Sequence, residues 1–144
     1  MNKKFLILPI IIIIIVIVAI GSQSNQSDKK NEPFFHVTLA DPNLFDNGVY
    51  SSTFVIEKGE YNFRFVPNGD SPQNLTISLK GDDFEFSEDF KLNGTLHKTG
   101  ISEYYTWDYE GEKLVHIPTQ KEISIQINPN GNVKGSVSVD FIRN

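Results

Sequence analysis

The stretch GEYNFRFVPNGDSPQNLTISL, residues 59–79, holds the clearest strand pattern in this chain of 144 residues. It carries an aromatic row and then an aliphatic row, each at every second position: Tyr61, Phe63, Phe65, Leu75, Ile77 and Leu79. Alternation with a period of two is typical of a strand that buries one face. Residues 67–72, PNGDSP, separate the two rows with a strong turn signal. We therefore predict an antiparallel hairpin that brings both rows onto one buried face.

The same alternation recurs along most of residues 34–144. Further strands are predicted at 34–39, 49–56, 101–109, 114–117, 122–128 and 136–142, with one or two short strands between residues 84 and 92. No window shows the three-and-four spacing of an amphipathic helix, and no repeat of fixed period is present. About eight short strands at spacings of about ten residues predict an all-β domain, an antiparallel β-sandwich with jelly-roll or Greek-key connections.

An apolar run precedes this domain. Residues 5–20, FLILPIIIIIIVIVAI, carry no polar side chain and follow Lys3 and Lys4. This pattern predicts a single membrane-spanning helix with its N-terminus in the cytoplasm and the rest of the chain exported. We therefore divide the chain into a signal anchor at 1–21, a polar tether at 22–33 and an extracytoplasmic domain at 34–144. Cleavage after Gly21 by a signal peptidase is the alternative.

Charge and composition exclude several classes of function. The exported part holds all 18 acidic residues and 11 of the 13 basic ones, so its formal charge is −7. A strongly acidic surface does not suit nucleic acid or an anionic lipid surface. The chain has no cysteine, which excludes disulfides, zinc–thiolate sites and thiol nucleophiles. We predict no cofactor and no bound metal.

The sequences of several predicted strands and turns resemble those of a known family. The runs FVIEKGEYNFRF at 54–65, PNG at 67–69, IQINPNG at 125–131 and VSV at 137–139 resemble GOLD-type β-sandwich modules. Such modules are adaptor domains of trafficking and secreted proteins. The resemblance implies a β-sandwich without catalytic residues, and it assigns no site to this chain.

The strand predicted at 101–109 holds the main candidate for ligand binding. Tyr105, Trp107 and Tyr109 lie at every second position and therefore share one face. Rows of flat aromatic rings stack sugars and other rigid ligands, and tyrosine and tryptophan add a polar edge. The same row also fits the core face of this strand, which the alternation favours. The sequence leaves both interpretations open.

Other residues that could bind a metal or carry a glycan are better explained as ordinary surface residues. Histidine imidazoles can bind copper or zinc, and the chain has three histidines: His36, His97 and His116. No two of them are close in sequence, so we predict scattered surface histidines. A cluster of carboxylates could hold Ca²⁺ or protect a sheet edge, and we favour the solvated edge: Asp82, Asp83, Glu85, Glu88 and Asp89. Asn25, Asn74 and Asn93 begin N-glycosylation sequons that export would permit.

The sequence thus predicts a membrane-anchored extracytoplasmic module for binding or assembly, without catalysis. A carbohydrate-binding cell-surface domain is the first alternative, and a metalloprotein or hydrolase is the second. The expected partners are the membrane through the N-terminal helix and either another cell-surface protein or a glycan. No G-x-S-x-G motif orders the serines, histidines and carboxylates into a hydrolase site.

Overall fold

The computed structural model describes residues 33–144, so the anchor predicted for 1–21 and nearly all of the tether lie outside the described residues. The described residues form nine strands: β1 Phe35–Leu39, β2 Tyr50–Ile56, β3 Gly59–Pro67, β4 Asn74–Gly81, β5 Phe84–Lys98, β6 Glu103–Glu110, β7 Leu114–Ile117, β8 Lys121–Asn128 and β9 Val137–Arg143. One 3₁₀ turn, Pro42–Leu44, is capped by Asp41. Between residues 33 and 144, no helix has the length and apolar character that crossing a membrane requires.

The strands form two antiparallel sheets. The four-stranded sheet has the order β1-β9-β3-β7, and the five-stranded sheet has the order β2-β8-β4-β5-β6. Chain-successive strands alternate between the sheets, except that β4, β5 and β6 follow one another within the larger sheet. The predicted all-β class with antiparallel sheets is confirmed.

Aromatic contacts join the two sheets across a common core. The Phe65 ring of β3 lies 4.9 Å from Phe90 of β5 and 5.1 Å from Tyr109 of β6, measured between centroids. At another point, Phe35 of β1 stacks on Phe54 of β2 at 5.3 Å. Because each of these pairs spans the two sheets, their apolar faces pack against each other as in a sandwich.

The prediction that residues 59–79 form one hairpin is wrong, because the two strands do not pair with each other. The aromatic row and the aliphatic row are nevertheless both buried, as predicted. Strand β3 pairs with β9 and β7, whereas β4 pairs with β5 and β8. The intervening turn therefore carries the chain from one sheet to the other. Ser71 fastens this turn, since its Oγ accepts a hydrogen bond from Asn68 N at 2.6 Å and donates one to Ser136 O at 2.5 Å.

Strand β5 is longer than predicted. The sequence predicts one or two short strands between residues 84 and 92, but the strand continues through Asn93 and Gly94 to Lys98. Only its first part is paired with β4, from Phe84 to Lys91, and its last part is paired with β6. The consequence is that β5 and β6 form a hairpin that extends beyond Asn74, the first residue of β4.

Candidate functional site

The extended hairpin, residues 92–109, is the most distinctive surface feature of the described chain, and we call it the arm. Its register pairs Leu92 with Tyr109 at the base and Lys98 with Glu103 near the tip. Leu92 and Tyr109 are buried, whereas the positions between Asn93 and Asp108 are exposed on both faces except for half-buried His97. The arm is therefore a two-stranded ribbon, and no layer formed by residues 33–144 covers either of its faces.

One face of the arm carries two stacked aromatic rings. Tyr105 and Trp107 lie with ring centroids 5.8 Å apart and planes inclined by 26°. Tyr105 is 55% exposed and Trp107 is 47% exposed. Leu96, paired with Tyr105, adds an exposed aliphatic side chain to this face. We call these residues the aromatic face of the arm.

Gly94 allows the indole ring to lie against the arm. It is paired directly with Trp107, and a β-carbon placed on Gly94 would come within 2.8 Å of the indole Cζ3. A methyl group or anything larger would therefore force the ring away. Cross-strand packing of an aromatic side chain over glycine is a known way to stabilise a strand glycine. Asn93-Gly94 has the composition of a turn, but Gly94 lies within β5 and the Trp107 ring packs over it.

Tyr109 belongs to the core, so the prediction of a ligand contact at Tyr109 is wrong. Its side chain is 0% exposed, and its hydroxyl donates a hydrogen bond to the carbonyl oxygen of Pro72. Burial raises the pKa of Tyr109 far above its ordinary value, with a smaller opposing contribution from a Ser71 hydrogen bond. Tyr105 and Trp107 stay predicted ligand contacts, and both are accessible.

The opposite face of the arm is more polar. Tyr104 stacks on His97 with centroids 4.9 Å apart, and His97 Nε2 lies 2.8 Å from Thr106 Oγ1. Asn93, the first residue of a predicted sequon, is exposed on this face opposite Asp108. A glycan on Asn93 would leave the aromatic face uncovered.

The arm leaves the sandwich at the end opposite to the one where the described chain begins. Phe34 N donates to Phe141 O, and the Phe34 ring lies 5.8 Å from Tyr61 at the start of β3. The arm base contacts Phe65, four residues further along the same strand. Four strand residues span about 13 Å.

A second group of side chains lies on the outer face of the four-stranded sheet and was not found from the sequence. Asp140 is only 3% exposed, and Arg64 donates to its Oδ2 from Nε at 2.9 Å and Nη2 at 2.8 Å. His36 Nδ1 lies 2.5 Å from Asp140 Oδ1, and His36 Nε2 lies 3.3 Å from Thr38 Oγ1. Thr38 in turn lies 2.9 Å from Ser138 Oγ. The partners of Asp140 are 76 and 104 residues away, so no local motif reveals them.

This group resembles an aspartate–histidine–hydroxyl arrangement, but its geometry favours an ion pair. Burial raises the pKa of Asp140, while hydrogen bonds from His36 and Arg64 outweigh that effect and hold the pKa below its ordinary value. The side chains of His36 and Arg64 are 54% and 56% exposed, so the group lies on an open sheet surface. A nucleophilic hydroxyl also needs donors for a developing oxyanion and a site that excludes water. An open sheet surface does not exclude water.

We predict that Asp140→Asn lowers the free energy of unfolding by about 1–3 kcal/mol at pH 7. A carboxylate whose folded-state pKa is depressed stabilises the fold above its unfolded pKa of about 3.9, and this contribution is lost as the pH falls through the folded value. The difference between variant and wild type should therefore shrink below about pH 4. Urea unfolding at a series of pH values measures it. The exposed turn variant Asp82→Asn is the control, and a constant deficit for Asp140→Asn at every pH would contradict the prediction.

The remaining candidates occupy separate surface positions. Within residues 33–144, no three histidines or carboxylates are grouped closely enough to hold a metal ion. Asp82 and Asp83 lie in the turn between β4 and β5, where Asp83 pairs with Lys121 and this hydrogen bond lowers the pKa of Asp83. Among the described residues, the first half of β5 pairs with β4 only; there Glu85 and Asp89 are exposed, and half-buried Glu88 accepts a hydrogen bond from Glu112 N at 3.0 Å. Asn74 is exposed, and Asn25 lies outside the described residues.

Comparison of the chain with models of protein families, with curated proteins and with solved structures gave no match. The resemblance to GOLD-type modules therefore stays a prediction.

Proposed function

We propose that this chain is a non-catalytic binding module that holds a carbohydrate on the aromatic face of its arm. The observation that carries the proposal is the exposed, stacked pair of Tyr105 and Trp107, in which the Trp107 ring packs over Gly94. Large rings that stay half in water contribute less to stability than fully buried ones, and exposed apolar patches often mark interaction sites.

Carbohydrate fits the chemistry of this face. The C–H face of a sugar ring is apolar and packs on aromatic planes, while the Tyr105 hydroxyl and the Trp107 N–H can bond sugar hydroxyl groups. Lys98 and Glu103 lie at the tip end of the same face and add polar partners. Because Trp107 is already held against Gly94, little side-chain entropy is lost on binding.

The proposed architecture is a jelly roll with one added strand. Two interleaved Greek keys fit the strand orders of both sheets. The order is β1-β9-β3-β7 in the four-stranded sheet, and it includes β2-β8-β4-β5 in the larger sheet. Strand β6 is then the addition that builds the arm. Jelly rolls include lectin domains, which is support by fold analogy alone.

The proposed location is the outer surface of the cell membrane, with the N-terminus in the cytoplasm. The support is the apolar run at residues 5–20 behind Lys3 and Lys4. Attachment at residue 33 would leave the arm at the far end of the domain, where it reaches a ligand most freely.

We predict that Trp107→Ala lowers glycan affinity at least tenfold, a loss of about 1.4 kcal/mol or more. The full chain would be applied to a panel of immobilised glycans, and the ligands found would be titrated against each variant. Tyr104→Ala is the matched control, because Tyr104 is equally exposed on the opposite face. Gly94→Val should reproduce the loss with Trp107 still present, since the new side chain would displace the indole ring.

Two outcomes would contradict the carbohydrate proposal. One is a wild-type chain that binds no glycan on the panel above background. The other is a Trp107→Ala variant that binds as tightly as wild type, which would place the ligand elsewhere on the domain.

We also predict that the chain stays in the membrane fraction with its N-terminal segment attached. The reason is that residues 5–20 form an unbroken apolar run, longer and more apolar than export alone requires. Cell fractionation followed by mass spectrometry of the intact protein measures the N-terminus. A mature chain that begins at Ser22 and is recovered free of membranes would contradict anchoring and leave a secreted module.

A further inference from the structure

The outer edge of β6 pairs with no other strand of residues 33–144, and at its base the Tyr109 N–H donates to Asp108 Oδ1 at 2.8 Å. The inner edge of β6 pairs with β5. Its sequence, EYYTWDYE, is rich in residues that favour strands. Natural proteins usually protect such edges by covering, shortening or charging them. Strand β6 is eight residues long and uncovered by residues 33–144 on both faces from Glu103 to Asp108, and the charges on it lie towards its ends, leaving residues 104–107 uncharged.

The arm is also too small to be stable alone. A two-stranded hairpin is marginal in water, whereas three or more strands with an apolar face are stable. The arm exposes five large apolar side chains, Leu96, Ile101, Tyr104, Tyr105 and Trp107, and none of them is packed into the core. Addition of one more strand beside β6 would supply the missing hydrogen bonds and cover part of these side chains.

We propose that the arm of a second copy of this chain supplies this strand, through antiparallel pairing of β6 with β6 about a two-fold axis at Thr106. This arrangement places Tyr105 opposite Trp107 of the partner on the aromatic face and Tyr104 opposite Asp108 of the partner on the other face. The pairing goes beyond the proposed carbohydrate function and does not depend on it. It joins the two aromatic faces into one platform of four rings.

The charges of β6 favour this register. The strand carries three carboxylates, Glu103, Asp108 and Glu110, which would repel one another if directly opposed. With the axis at Thr106, Glu103 faces Tyr109 of the partner and Glu110 faces Ser102 of the partner, so no two carboxylates meet. Moving the axis to Trp107 places the two Asp108 residues diagonally across the interface, and moving it to Tyr105 shortens the paired segment. The axis at Thr106 therefore gives the longest pairing without like-charge contact.

Because the chain has no cysteine, single cysteines introduced into it report this geometry directly. Thr106→Cys would lie beside its own copy, within the Cβ separation of about 5 Å of opposed strand residues, and should form a disulfide-linked dimer under mild oxidation. Ser102→Cys is the control on the same strand, since its two copies would lie about 26 Å apart. Thr53→Cys is the control on β2, the other edge of the same sheet.

A charge test on the full chain complements the cross-linking. Thr106→Glu opposes two carboxylates at the axis and should raise the dimer dissociation constant at least about tenfold, whereas Thr53→Glu should leave it unchanged. Light scattering after size-exclusion chromatography measures the mass of each variant. The proposal is overturned if Thr106→Cys links no better than both controls, if it links to a different protein, or if the wild-type chain is a monomer at about 100 μM.

Discussion

Truncation of Phe63 to alanine is expected to cost about 3–5 kcal/mol of unfolding free energy, the range for buried aromatic side chains. Phe63 is almost fully buried in β3, and its ring stacks on Phe141 at 4.6 Å within its own sheet. Across the core, the same ring lies 6.0 Å from Phe86 and 5.8 Å from Phe90. Its removal would leave a cavity between the two sheets. For a domain with a total stability of 5–15 kcal/mol, roughly a third or more would be lost.

Val66→Ala on the same strand is the matched control for Phe63→Ala. Val66 is 52% exposed on the outer face of β3, so its truncation should change stability by at most about 0.5 kcal/mol. Urea unfolding of both variants compares the two faces of one strand. A cost for Phe63→Ala below about 1 kcal/mol would contradict face-to-face packing of the sheets around Phe63.

The alternation of side chains was enough to predict the strands and their buried faces. Phe63 and Ile77 lie in the core, and the histidines His36 and His116 lie in solvent, as the period of two predicts. Alternation does not determine which strands pair. The two rows of residues 59–79 can be buried equally well as one hairpin or as strands of two facing sheets, and the chain adopts the second arrangement.

Local turn signals also failed where pairing between strands overrode them. Asn93-Gly94 has the composition of a turn, yet Gly94 lies within β5 because Trp107 packs over it from the neighbouring strand. The same unexpected extension separates Tyr105 and Trp107 from Tyr109. The three residues share a face, as predicted, but the opposing sheet covers only Tyr109. The choice between core and ligand platform therefore has a different answer at each end of the row.

The alternation of side chains could not predict the polar contacts between residues that are distant in sequence. The exposure of Arg64 follows from alternation, but its carboxylate partner Asp140 lies on a strand 76 residues away. Asp140 itself has a polar position on β9 and would be expected in solvent. It is buried because Arg64 and His36, from the two flanking strands, cover it. Only the strand order reveals that contact.

Tyr109→Ala is expected to cost about 3–5 kcal/mol, as for other fully buried aromatic side chains. Tyr109 closes the base of the arm, where its ring packs on Phe65 and its hydroxyl bonds the Pro72 carbonyl. Its loss should therefore loosen the arm together with the core. Tyr109→Phe keeps the ring and removes only the hydroxyl, which leaves a buried carbonyl oxygen without its donor and should cost about 1–3 kcal/mol.

The two Tyr109 variants separate the contribution of the aromatic ring to the stability of the arm from that of the hydroxyl group. Chemical unfolding gives the two free energies, and Trp107 fluorescence reports the arm, because Trp107 is the only tryptophan of the chain. In Tyr109→Ala the fluorescence transition should precede the loss of sheet signal in circular dichroism. In Tyr109→Phe the two transitions should coincide. If Tyr109→Ala unfolds in one step with a cost below about 1 kcal/mol, Tyr109 does not join the arm to the core. Other contacts at the arm base must then hold it, among them buried Leu92, whose N–H donates to Gln73 O at 2.9 Å, and the Lys113–Asp108 ion pair at 2.7 Å.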